Sequence, residues 1–149
     1  MERGQHRDEG AAALEFALVS VLLFTLLFGI LQFSMLFFQM QAASSTARDA
    51  ARLAAVGIDS CTDYGTAIEQ DAKDNQLPTD ASWHLSARFT DASGSSGGSA
   101  PQWVSVSVTF SPTDFHFPFL PFPGDLTRTA RARVEDVGQV TTSCESSSS

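Results

Sequence analysis

"FALVSVLLFTLLFGILQFSMLFF", residues 16–38, contains no ionisable side chain, and sixteen of its twenty-three residues are Leu, Ile, Val or Phe. As a helix rising about 1.5 Å per residue it reaches about 35 Å, enough to cross a hydrocarbon core of about 30 Å with some tilt. A secretory signal has an apolar region of only about 7–15 residues before its small-residue cleavage site. Here the nearest such site, Ser45-Thr46-Ala47, falls well past the run. A core helix this apolar would need cover on every side, and 149 residues leave room for one small domain beside it. The stretch therefore predicts a transmembrane helix at 16–38. Arg3 and Arg7 lie closer to it than Arg48 and Arg52 do, which favours a cytoplasmic N-terminus.

Outward on the N-terminal side stand a charged leader, "MERGQHRDEG" (1–10), and then "GAAALEF" (10–16). A charge at mid-bilayer costs roughly 2.5–3.5 kcal/mol, and less near an interface. Glu15 is thus either an interfacial carboxylate that reaches water or a group kept for a purpose. The leader ends in Gly10, the small Ala11 follows, and Glu15 and Phe16 precede a full-length span. This arrangement resembles the processing region of type IV pilin-like proteins, and "G-AAAL-EF" is most similar to TadE-like pseudopilins of the tight-adherence pilus. "LFGILQFSMLFFQMQAASSTARDAARLAAVG" (27–57) is similar to that group's second signature. "WVSVSVTFSP" and "LTRTARARVE" loosely resemble its C-terminal strands. Two departures are Gln32, an amide near a position that often carries an acid, and an unusually aromatic loop at 115–123.

The resemblance implies a minor pilin or pseudopilin cut by a prepilin peptidase between Gly10 and Ala11. The new α-amino group and Glu15 could then pair within or between subunits, registering helices. Glu15 and Phe16 would be assembly residues. Other pilin subunits, an inner-membrane assembly platform and membrane lipid would be the partners. The soluble domain would lie outside the cytoplasmic membrane, then on the pilus or cell surface. A permanently anchored, unprocessed envelope scaffold or sensor is the rival reading.

Beyond the span, "QMQAASSTARDAARLAAV" (39–56) is alanine-rich and proline-free, so the helix is expected to run on to Gly57. Ala43, Ala47, Ala50, Ala51 and Ala54 form a smooth face, open to two uses: close packing with another subunit, or support of the chain's own domain. Tyr64, Ile68 and Ala72 recur at four-residue spacing and predict a short amphipathic helix, with Asp63 able to cap it and Pro78 limiting it. "WHLSARF" (83–89) reads as a strand, "TDASGSSGGSAP" (90–101) as a loop, and "WVSVSVTF" (103–110) alternates cleanly. "LTRTARARVE" (126–135) alternates too, except that Arg128 falls on the apolar face, the mark of a short or edge strand. The fold expected is α+β: a long N-terminal membrane-spanning helix, then a small domain with a short helix and an antiparallel sheet of about three strands. Its parts are a leader at 1–10, the helix at 11–56, an extracytoplasmic domain at 57–138 and a flexible tail at 139–149.

Cys61 and Cys144 both follow the span. In an oxidising compartment they would bridge; otherwise they are two unrelated thiols. Phe115, Phe117, Phe119 and Phe122 alternate with prolines that forbid a central strand. They fill the core or offer a subunit contact, two readings the sequence leaves open.

The formal charge of −8 and the absence of a basic block argue against nucleic acid as a partner. No phosphate loop, zinc spacing or nucleophile elbow occurs. The expectation is no enzyme, no metal or other cofactor and no small-molecule substrate.

Overall fold

The computed structural model describes residues 5–80, 82–91, 103–113, 124–134 and 143–147, with side chains from Gly10 to Ser146. Helix α1 runs unbroken from Gln5 to Val56, 52 residues, or about 78 Å at 1.5 Å per residue. It stops at Gly57, whose φ of 129° lies where only glycine is comfortable.

Helix α2, Cys61–Asp74, is capped by Ser60, whose hydroxyl accepts from the Asp63 backbone N–H. The cap is therefore Ser60 and not Asp63. The acid lies in the first turn instead, where it complements the helix dipole. At the other end the Leu77 N–H donates to Ala72 and the Gln76 N–H to Lys73, the paired bonds of a Schellman stop. Gln76 takes the left-handed position itself, at φ 59°. Leu77 then tucks in against Ala72, both buried.

Four antiparallel strands follow: β1 His84–Thr90, β2 Trp103–Phe110, β3 Leu126–Arg133 and β4 Cys144–Ser147, in the order β3-β2-β1-β4. The sheet thus has one strand more than expected, taken from the segment read as a flexible tail. "CESS" shows no alternation to betray a strand. It becomes one by pairing Cys144 with Ala87 and Glu145 with Ser86. The alternation of β2 is realised in full, with Val104, Val106, Val108 and Phe110 completely buried. β3 is an edge strand, and Arg128 stands half-buried on its inner face, as the pattern predicts.

Both helices lie on the inner face of the sheet, α1 over β2 and β3, α2 against β4. The alanine face settles its two readings here. Ala43, Ala47, Ala50, Ala51 and Ala54 are all at most 1% exposed, and the distal part of α1 packs on the chain's own sheet. Small side chains let helix and sheet backbones approach closely. The same core includes Ile58, Tyr64, Ile68, Leu77 and Trp83. The Tyr64 hydroxyl donates to the Ala50 carbonyl at 3.0 Å, stitching α2 to α1. Burial pushes that phenol well above its ordinary range.

Candidate functional site on the N-terminal helix

Gly10 and Ala11 are exposed, and the bond between them lies inside the helix. Nothing stands within 4 Å of where a Gly10 Cβ would be. A glycine inside a helix costs about 1 kcal/mol relative to alanine. Local opening of the helix therefore costs less at Gly10 than it would at an alanine.

From Glu15 to Phe33 is eighteen residues, five full turns, so both stand on one face of α1 with Leu22, Leu26 and Gly29 between them. Around Gly29 this face forms an open apolar groove lined by Thr25, Leu26, Ile30, Phe33 and Phe37. Phe16 is 75% exposed, and large apolar side chains from Leu14 to Phe38 face outward all round. The helix is near the N-terminus, has a mean hydropathy of 2.5 over its most apolar window, and is long and apolar enough to cross a membrane. Two of its hydroxyls are satisfied locally: Ser20 donates to the Ala17 carbonyl and Thr25 to that of Val21. They add little to the cost of the span.

A second face, of which the sequence reading singled out only Gln32, carries buried polar groups seven residues apart. Gln32, Gln39 and Thr46 are 8%, 1% and 0% exposed. The Gln39 amide grips Thr113, donating to its Oγ1 at 2.8 Å and accepting from its backbone N–H at 3.1 Å. Thr46 Oγ1 accepts from Asn75 at 3.1 Å. Gln32 Oε1 is buried without a partner. Two of the three thus clamp the sheet domain onto the helix immediately beyond the apolar run. The signal was available: polar residues at heptad spacing in a helix otherwise apolar or alanine-rich.

Cys61 and Cys144 form a disulfide, with Cα atoms 5.4 Å apart. One turn along α2 from Cys61, a Cβ on Gly65 would meet Ser146 Oγ at 2.7 Å and its Cβ at 2.8 Å. The first two turns of α2 therefore hold β4 by two contacts, one covalent and one by close approach. Phe115, Phe117, Phe119 and Phe122 lie outside the described residues. Among the described residues no group of three or more His, Cys, Asp or Glu could hold a metal ion.

Fold and site together define a class: an α+β protein whose long N-terminal helix is bare and apolar over its first half and sheathed by a small sheet over its second. Residues 10–52 match the family model described as TadE-like protein, a match that opens on Gly10 and spans Glu15, the groove and most of the alanine face. Over that segment the resemblance drawn from the sequence is borne out. No curated protein matches the chain, and no solved structure does.

Proposed function

We propose that this chain is a minor pilin or pseudopilin, made as a precursor and cut by a prepilin peptidase between Gly10 and Ala11. It then helps initiate, cap or stabilise a tight-adherence pilus. The observation that carries this reading is the family match starting at Gly10, with Glu15 one position ahead of an exposed apolar helix. Cleavage frees an α-amino group four residues before Glu15, and in low dielectric that pair orients neighbouring helices even where its net stability is modest. The sheet domain faces away from the cytoplasm in this reading. The disulfide supports that side, since such bridges persist where the surroundings are oxidising.

Co-expression with a prepilin peptidase tests the cut. N-terminal sequencing of the membrane-extracted protein should then begin at Ala11. A start at Met1 in the presence of active peptidase favours the unprocessed anchor instead. Glu15→Ala should leave the cut intact and impair incorporation into filaments; normal incorporation would remove the registering role while leaving processing in place.

A further inference from the structure

The sheet buries only one face. On the open one, the register sets Arg133 beside Trp103, and Arg131 beside Ser105, which in turn lies beside Arg88. Trp103 is 46% exposed, and all three arginines are exposed. Among the described residues none of the three has an ion-pair partner. Arg131 and Arg133 stand two residues apart along β3, and Arg131 and Arg88 two strand spacings apart, roughly 7 Å and 10 Å. The spaced "RTARAR" therefore conceals a cluster that the linear sequence does not display. Phe110 leads within three residues to Thr113 on Gln39, at the end of the apolar run. The arginine cluster is at the opposite end of β2, about 23 Å further along the strand.

We propose that this patch binds an acidic polysaccharide, with the Trp103 indole against a sugar ring and the arginines on its carboxylates. An exposed indole offers a broad apolar plate to the C–H face of a sugar, and a guanidinium fork matches a carboxylate bidentately. The rest of the face is hydroxyl-bearing, with Ser107 bonded to Thr129 and Thr109 to Thr127, each at 2.9 Å. That suits a hydrated polymer rather than a protein, whose interface core is apolar and poor in serine. Size argues the same way. Three strands of 7–8 residues and one of 4, about 4.8 Å apart at about 3.3 Å per residue, present on the order of 400 Å², short of the roughly 800 Å² per partner of a stable protein interface.

Charge placement limits where a polyanion can lie. The chain carries −8 overall, and its α2 side adds Asp59, Asp63, Glu69, Asp71 and Asp74. Glu145 sits at the β4 edge of the open face, opposite Ser86. This acidic surround confines a polyanion to the open face, where Glu145 is the one acid on the described strands. Among the described residues the open face has one Trp, Tyr or Phe plate, where single-stranded nucleic-acid grooves have several.

The test uses the full chain in detergent micelles, titrated with oligogalacturonate and followed by tryptophan fluorescence. Trp83 is buried and Trp103 exposed, so the signal reports on the patch. The expected result is a saturable, salt-sensitive change. Arg131→Glu combined with Arg133→Glu should weaken it at least tenfold, Trp103→Ala should abolish the spectral change, and Arg52→Glu on α1 should leave it unaltered. Arg131→Gln, a milder change, should weaken binding in the same direction by less. Equal binding of neutral maltoheptaose, unchanged affinity in the double-arginine variant, or no saturation would each overturn the proposal. Tighter binding of a thymidine oligonucleotide than of oligogalacturonate would overturn it too, in favour of a phosphate polymer. None of these outcomes depends on cleavage at Gly10.

Discussion

Two halves of one helix meet opposite fates. Through residues 14–38, α1 presents Leu, Phe, Ile and Val outward. Through 43–54 it presents alanines that vanish beneath the sheet. The backbone hydrogen-bond ladder is the same in both, so side-chain size makes the difference. Large apolar groups in every direction suit lipid, which packs against any shape. A stripe of methyl groups suits a sheet that must come close. The border is marked by Gln39, the first residue after the run, whose amide fastens Thr113.

The contrast can be broken hardest at the disulfide. Cys61→Ser with Cys144→Ser releases β4 from α2 and opens a loop of 83 residues. The expected loss is about 4–5 kcal/mol in the chain-entropy model, read by thermal or denaturant unfolding of the purified protein, while the membrane-bound fraction stays unchanged. A smaller loss comes from Ala50→Leu, which forces three further carbons into a fully buried site and should cost about 1–3 kcal/mol. Its companion, Leu23→Ala, alters a side chain 62% exposed on the apolar half and should leave domain unfolding where it was. Equal effects of the two would erase the distinction between the halves. The smallest change has the opposite sign. Gln76→Gly relieves a left-handed residue at the end of α2 and should stabilise by about 0.5–1 kcal/mol, seen as a raised Tm.

Much of this was legible in the residues. The unbroken apolar run, the proline-free alanine tract and Gly57 specify α1 and its end. Strict alternation specifies β2, and Arg128 marks β3 as an edge. The rest was hidden because it depends on contacts between distant segments. β4 is a strand only because β1 offers it an edge and Cys61 and Gly65 hold it there. Whether the alanine face served a neighbour or the chain itself could not be read without knowing where the sheet lies. On the candidate site, Gly10, Glu15 and the apolar helix were visible as a local pattern, within the segment that the family model spans. The Gln39 clamp needed Thr113, 74 residues away. Likewise the arginine cluster needed β1 and β3 brought to either side of β2.

The unbroken run of α1 has a mechanical corollary. No proline or glycine interrupts residues 30–56, and the Gln39 clamp ties the start of the sheathed half to the sheet. Such a rod has no hinge in which to absorb displacement. A displacement of this segment along its axis by one turn, about 5.4 Å, carries the sheet the same distance. Over residues 30–56 the helix and the sheet clamped to it form one stiff body.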